Sequence, residues 1–263
     1  MPTVKIGVEL ASFGLPLKKA LHTAARLGCG GVKIDARRDV RPSEMSGTAL
    51  RQFRKLLEEL DLRVSSVAFP TRRGYDDAED LEARIAATKA AMKFAYQIGA
   101  RTVVGQVGHV PGDQTGESWD TLVEALTDLG AYGHHIGATW TAKTGTVSPE
   151  DLARLIEALP DGTMGVDFDP GRLTIQGFSP SDAMSALGAH IQHVTVNDAV
   201  ADMPGGRGQE VALGRGTVDF PSLMGQLEEY AYGGWFTIER HGSDDPITDV
   251  GNAVAYLRNI EQT

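Results

Sequence analysis

Two carboxylates at the ends of short apolar segments are the residues of this chain best suited to chemistry. Asp169 follows the segment Met164–Phe168, and Glu239 follows the segment Trp235–Ile238. Two such groups that converge could bind a divalent metal through oxygen, or could move a proton on and off a carbon beside a carbonyl. The alternative is a pair of structural acids that neighbouring Arg or Lys side chains neutralise.

Lys143 ends another apolar segment and has two alternative roles. A lysine among acids forms a salt bridge and keeps its charge, whereas a desolvated lysine can serve as a base or as a Schiff-base nucleophile. Flanking acids raise the pKa of an ammonium group, which makes the amine a weaker nucleophile. The sequence therefore favours the salt-bridge role for Lys143, which we group with Asp169 and Glu239 as candidate catalytic residues.

Other polar residues follow further apolar segments and are candidates for substrate binding. These are Glu9, His109, Arg172, Asn197, Arg215 and Arg240. Two glycine-rich stretches, residues 204–208 and 213–216, each contain an arginine. Glycine allows backbone N–H groups to approach an anion closely, and arginine can bind it through two donors. A plain flexible loop is the alternative, and the one we favour for the first stretch.

The elements that must position these residues form a repeating pattern. Eight apolar runs recur at residues 4–10, 31–35, 62–69, 100–107, 136–142, 164–168, 191–196 and 235–238. Each is followed by a segment with helix signals, such as the capping Ser148 and Ser179, each with proline next. Eight strand–helix units predict a single (β/α)8 TIM barrel over residues 1–263. A doubly wound open sheet would need a glycine-rich phosphate loop after its first strand, and that loop is missing.

Composition narrows the class of protein. The 263 residues carry a formal net charge of −10, which argues against a nucleic-acid surface. The one cysteine, Cys29, fits a reducing compartment, and we expect it to be buried and unreactive. Residues 4–10 are typical of a strand, not of a signal peptide, and no apolar run is long enough to span a bilayer. We therefore expect a cytoplasmic protein without a membrane partner.

The chain resembles the xylose isomerase-like barrels of the sugar phosphate isomerase/epimerase group. The resemblance runs from residues 5–8 to residues 237–239 and is most specific in the last third. Residues 213–220, Leu-Gly-Arg-Gly-Thr-Val-Asp-Phe, and residues 232–239, Tyr-Gly-Gly-Trp-Phe-Thr-Ile-Glu, match the closing pattern of that family. Residues 25–28 and 31–34 resemble its first helix and second strand.

In that family a divalent metal is usually held by a Glu, an Asp, a His and a second Glu from the fifth to eighth strands. The resemblance places Asp169 at the Asp and Glu239 at the last Glu. Lys143 stands where the first Glu is expected, Thr195 where the His is expected, and Arg172 where a further His is frequent. Half of the metal set is therefore replaced, and no metal ligand is assigned beyond the remnant positions Asp169 and Glu239.

The replacements predict that Lys143 neutralises Asp169 and Glu239 in an internal ion-pair network. No cofactor is assigned on this basis, and a divalent Mn, Mg, Co or Zn ion is the alternative. The resemblance implies a sugar phosphate isomerase or epimerase acting on a small carbohydrate, with Glu239 as the base. The alternative is a catalytically silent barrel that binds a metabolite or partner. Abasic-site endonucleases share the barrel, but they need a histidine-rich metal set and a basic face. This acidic chain lacks that ligand set, so the sequence disfavours an endonuclease. A homo-oligomer is compatible with the sequence.

Overall fold

The computed structural model describes residues 4–201 and 208–261, and these form a closed barrel of eight parallel strands. The barrel strands are β1 (Lys5–Glu9), β2 (Gly31–Asp35), β3 (Arg63–Ala68), β4 (Thr102–Gly105), β5 (Thr139–Lys143), β6 (Gly165–Phe168), β7 (Ile191–Val196) and β10 (Trp235–Ile238). Going round the barrel, their order is β1, β10, β7, β6, β5, β4, β3, β2, so the last strand closes against the first. The predicted barrel is confirmed, and the open sheet is excluded.

Helices surround the barrel and cover its outer face. In the described ranges they are α1 (Leu17–Arg26), α2 (Gly47–Glu59), α3 (Leu81–Gln97), α4 (Glu117–Ile136), α5 (Pro149–Ala158), α6 (Pro170–Ile175), α7 (Pro180–Leu187), α8 (Phe220–Glu229) and α9 (Pro246–Glu261). Short 3-10 turns occupy Leu10–Phe13, Pro42–Glu44 and Gly188–His190. None of the helices in these ranges combines the length and the apolar character needed to cross a membrane.

The local sequence signals explain where two of the helices begin. The Ser148 hydroxyl accepts a hydrogen bond from the Asp151 N–H at the start of α5, and Ser179 does the same for Asp182 at the start of α7. Each satisfies one of the N–H groups that a helix start leaves without a partner. The predicted caps are therefore present in the fold.

One element was not predicted. A short antiparallel pair, β8 (Asp198–Val200) and β9 (Gln209–Val211), extends from the mouth of the barrel after β7. The chain between these two strands contains most of the first glycine-rich stretch. Apart from Gly208, that stretch lies outside the described residues.

Cys29 lies buried just after α1, and burial raises the pKa of its thiol to about 12. A thiol in this state stays protonated at neutral pH and is a poor nucleophile. The environment therefore agrees with the expected unreactive cysteine.

Candidate active site

Lys143 joins the two carboxylates that the sequence singled out. It ends β5, and its Nζ atom lies 2.7 Å from Glu239 Oε1 and 2.8 Å from Glu239 Oε2. The same atom lies 3.1 Å from Asp169 Oδ2, which accepts no hydrogen bond among the described residues. The three groups are therefore one buried ion-pair cluster at the carboxyl ends of β5, β6 and β10, where barrels carry their active sites.

A second lysine extends this cluster across the barrel. Lys33, in the middle of β2, is 2% exposed, and its Nζ atom lies 3.1 Å from Glu239 Oε2 and 3.7 Å from Glu9 Oε1. Glu9 and Lys33 are cross-strand partners on β1 and β2. The charges therefore alternate in the order Glu9, Lys33, Glu239, Lys143, Asp169, so each buried ammonium lies between two carboxylates.

His241 completes the cluster on the solvent side. Its Nε2 atom lies 2.9 Å from Glu239 Oε1 and 3.7 Å from Glu9 Oε2. The hydrogen bond to Glu239 is the main reason why the pKa of His241 is raised above its ordinary value. When His241 is protonated, three cations balance the three carboxylates of Glu9, Asp169 and Glu239.

The three carboxylates of the cluster differ in pKa because their surroundings differ. Burial disfavours charge on Glu239, but the ammonium groups of Lys143 and Lys33 outweigh it and hold the pKa of Glu239 well below its usual range. Burial raises the pKa of Asp169 to about 6 in spite of Lys143. Burial also raises the pKa of Glu9, and the nearby charge of Glu239 adds to this effect. Glu239 is therefore the weakest base of the three.

The same contacts keep the amine of Lys143 protonated. Burial disfavours its ammonium form, but Glu239 and Asp169 more than compensate and raise its pKa well above the ordinary value. Because a protonated amine cannot attack a carbonyl, this environment agrees with the predicted salt-bridge role and not with Schiff-base chemistry.

A second polar network lies inside the barrel near the charged cluster. Asp167 Oδ1 is 2.7 Å from His193 Nδ1, and the Thr195 hydroxyl donates hydrogen bonds of 2.9 and 3.0 Å to the two Asp167 oxygens. His193 Nε2 also contacts the hydroxyls of Ser66 and Thr237 at 3.1 and 2.8 Å. Thr195 stands at the predicted position of a metal-binding His. It is fully buried, and its hydroxyl is hydrogen-bonded to Asp167.

The predicted substrate-binding residues fall into three groups: Arg240, held in ion pairs, three exposed side chains, and two buried ones. Arg240 lies between Glu210 and Asp249, at 2.5 and 2.8 Å, and is held in this ion-pair triad instead of projecting free charge into the barrel mouth. Arg172, Arg215 and His109 are exposed.

Asn197 and Glu9 are both buried, and Glu9 is itself a member of the charged cluster. Asn197 Oδ1 and Glu9 Oε2 accept no hydrogen bond among the described residues. A buried acceptor without a donor costs free energy, so both atoms favour a ligand that donates hydrogen bonds. The roles of all six predicted binding residues remain predictions.

The second glycine-rich stretch has a structural partner. The Asp198 carboxylate accepts hydrogen bonds from the backbone N–H groups of Ala199, Gly214, Gly216 and Val218. An alanine Cβ at position 216 would lie 2.0 Å from Asp198 Oδ1, so the close approach requires glycine there. These amides bind an internal carboxylate, and this leaves fewer donors for an external anion.

Sequence reasoning missed Lys33 and the pairing of His241 with Glu239. The signal for Lys33 was a charged residue inside a five-residue strand that is otherwise suited to burial. Lysine is almost never fully buried without a partner, so its position predicts a nearby carboxylate. Which carboxylate it meets depends on barrel closure, because Lys33 and Glu239 are 206 residues apart.

The residues present do not fit the divalent metal that the resemblance implies. Glu9, Glu239 and His241 do offer ligand atoms within 4.8 Å of one another. However, both Glu239 oxygens already accept hydrogen bonds from lysine. At about 4 Å and an effective dielectric constant near 20, a divalent ion and an ammonium repel by about 8 kcal/mol. The chemistry proposed for this site therefore uses no metal.

Comparison with known proteins agrees with this architecture. Residues 21–260 match the family model described as xylose isomerase-like TIM barrel, and the chain belongs to that family. It is 26% identical over 251 residues to an inosose dehydratase of Geobacillus thermodenitrificans, a match that covers 81% of this chain and 80% of that protein.

Two solved structures share the fold. The xylose isomerase domain protein from Planctomyces limnophilus superposes with a TM-score of 0.87 at 24% identity, over 99% of this chain and 98% of that one. A D-psicose 3-epimerase solved in the presence of D-fructose has a TM-score of 0.79 at 15% identity, over 98% and 99% of the two chains. At these identities the two structures support the barrel fold alone.

Proposed function

We propose that this protein is an enzyme that acts on a small polyhydroxylated carbonyl compound, either a sugar or a cyclic polyol ketone. The reaction begins with removal of the proton on the carbon beside the carbonyl. The observation that carries the proposal is the buried cluster of three carboxylates and two ammonium groups at the carboxyl end of the barrel. A dehydratase of an inosose and an epimerase of a ketose, the kinds of protein it resembles, can share this first step.

The geometry favours a division of roles. A carboxylate takes the proton from carbon, and the electron pair moves toward the carbonyl oxygen, which becomes an enolate. Return of the proton to the other face of the same carbon gives an epimer. If the hydroxyl proton instead moves between the two oxygens of the enediolate and the former carbonyl carbon is protonated, the product is an isomer. In a dehydration the enolate electron pair expels the hydroxyl group of the next carbon, which takes the proton held by the carboxylic acid and leaves as water.

Lys143 is the group that we assign to the developing enolate. Its ammonium has three N–H donors, and all its hydrogen bonds within the described residues go to Glu239. Two of these donors are used by Glu239, and we assign the third to a substrate oxygen. A fixed cation at this point stabilises negative charge as it forms.

Asp169 is the base that the electrostatics favour. Its pKa of about 6 makes it a stronger base than Glu239, yet leaves it ionised at neutral pH. The earlier assignment of Glu239 as the base remains a prediction. Its four contacts with Lys143, Lys33 and His241 favour a role in holding those groups in place. Phosphate on the substrate likewise remains a prediction, with the exposed Arg172 and Arg215 as its candidate partners.

Deuterium exchange tests the proposal directly. The protein is incubated in D₂O with D-fructose, D-psicose, scyllo-inosose and a ketose phosphate, and NMR follows loss of the proton beside each carbonyl. We expect exchange with at least one compound, and we expect Glu239→Gln and Asp169→Asn to abolish it while the protein stays folded. Unchanged exchange in Glu239→Gln would remove Glu239 from the mechanism.

A catalytically silent binding barrel is the second candidate. The observation that favours it is the complete occupation of Glu239 by donors, which leaves that carboxylate no free lone pair toward a substrate. Calorimetric binding of one of the same compounds, with no exchange of its protons, would support this candidate over the enzyme.

A further inference from the structure

We infer that Lys143 and Lys33 permanently occupy the place that a divalent cation would take in this barrel, so that the site of the wild-type protein binds no metal. The inference concerns what fills the carboxylate cluster. It therefore does not depend on whether the proposed proton transfer occurs.

The first observation is the position of Lys143. Its Nζ atom touches Asp169 and both oxygens of Glu239 at 2.7 to 3.1 Å. Two buried carboxylates from different strands thus converge on one positive centre, as they would on a bound cation. The side chain is 14% exposed, so water does little to screen its charge.

The second observation is the position of Lys33. Among the described residues, Glu9, Glu239 and His241 form the one group of three side chains that could otherwise ligate an ion. Lys33 Nζ lies 3.1 Å from Glu239 and 3.7 Å from Glu9, so a second ammonium contacts both acids of that group. In this cluster, the ammonium group of a lysine therefore lies at both points where carboxylates converge.

The chemistry of the two kinds of cation differs in a way that can be measured. An ammonium on a side chain cannot be removed by a chelator, and its charge is not lost when metal is scarce. A divalent ion would need to displace it, and the buried acids would then retain a neighbouring positive charge that repels the ion. Removal of Lys143 should therefore create metal affinity instead of abolishing it.

The test compares Mn²⁺ binding to the wild type and to Lys143→Glu. The variant removes one ammonium and adds a third carboxylate beside Asp169 and Glu239. Free Mn²⁺ is counted by electron paramagnetic resonance, and heat is measured by isothermal titration. We expect no binding tighter than about 1 mM for the wild type, and binding of about one equivalent at least tenfold more tightly for the variant.

Lys89→Glu is the matched control. Lys89 forms a 2.7 Å salt bridge with Asp128 on the surface, so the substitution makes the same change in net charge away from the barrel mouth. We expect this variant to bind Mn²⁺ no better than the wild type. Equal gains in both variants would show that net charge, and not the place of Lys143, controls the affinity, and would overturn the inference.

Two further results would also overturn it. One is a tightly held equivalent of Mn²⁺ in the wild type that is lost in Asp169→Asn. The other is a folded Lys143→Glu that binds Mn²⁺ no better than the wild type. If Lys143→Glu does not fold, Lys143→Gln provides the same comparison, because it removes the ammonium without adding charge. Mn²⁺ should then raise the melting temperature of Lys143→Gln and not that of the wild type.

Discussion

Lys143 Nζ lies 2.7 Å from one carboxylate oxygen of Glu239 and 2.8 Å from the other, so one ammonium group spans both oxygens of a buried acid. The two residues are 96 positions apart in the chain and come from strands on different sides of the barrel interior. This contact fixes the charge of both groups. Together with Lys33, it also explains why the acid expected to act as a base is the one of the three cluster carboxylates whose pKa is lowered.

Replacing Lys143 by methionine should destabilise the fold. The substitution leaves Asp169 and Glu239 buried without their shared cation, and removal of one partner from a buried pair typically costs about 3–5 kcal/mol. Urea unfolding measures the change in free energy. The double variant Lys143→Met/Glu239→Gln should recover part of the loss, whereas an equal or larger loss would contradict the role of Glu239 as its main partner.

Asp169 should make stability depend on pH. Its folded pKa of about 6 lies above the ordinary 3.8, so between these values the folded protein holds a proton that the unfolded chain has lost. The free energy of unfolding from this group therefore falls as pH rises through that window, by up to about 3 kcal/mol. Urea unfolding of wild type and Asp169→Asn at several pH values measures this. A difference between them that stays constant with pH would contradict it.

The pH dependence of activity distinguishes the two candidate bases. If Asp169 takes the proton, kcat/KM should rise with pH and level off above about 6, because only the ionised carboxylate can accept it. If Glu239 takes the proton, the same limb should already be level there, because its pKa lies well below the usual range. Initial rates on the compound that shows exchange decide between the two profiles.

Thr195→Val should cost about 1–3 kcal/mol of stability. The hydroxyl of Thr195 is fully buried and donates to both oxygens of Asp167, and valine keeps the shape but removes the donor. Thermal or urea unfolding measures the loss. The matched variant is Thr217→Val, whose hydroxyl donates to the Ala199 carbonyl in a partly buried site, and which should cost less. A neutral Thr195→Val would show that Asp167 does not need this donor.

Asp198→Asn should loosen the segment that follows β9. An amide keeps one acceptor, but its NH₂ group replaces one of the two oxygens. It then faces either the N–H groups of Gly214 and Gly216 or those of Ala199 and Val218, and these lose their acceptor. Hydrogen exchange of one of these two pairs of amides should speed up, while exchange in the barrel strands stays slow. Unchanged exchange at both pairs would contradict the assignment of Asp198 as their anchor.

Much of the fold was predictable because strand and helix signals are local. The eight apolar runs match the eight barrel strands with end shifts of up to three residues, and the runs 31–35, 191–196 and 235–238 match at both ends. The pair β8 and β9 was missed because three-residue strands carry little periodicity. At the site, the place of Arg240 after a barrel strand suggested substrate contact, which stays a prediction, and only the structure shows its ion pairs with Glu210 and Asp249.

The sequence by itself determined that carboxylates and a lysine would end barrel strands, since residue type and strand length are both local properties. Only the tertiary structure decided which charges meet. Closure of β1 against β10 and the pairing of β1 with β2 bring Glu9 and Lys33 to Glu239, more than 200 residues along the chain. An ammonium and a carboxylate interact strongly only within a few ångströms and away from water, and barrel closure supplies both conditions.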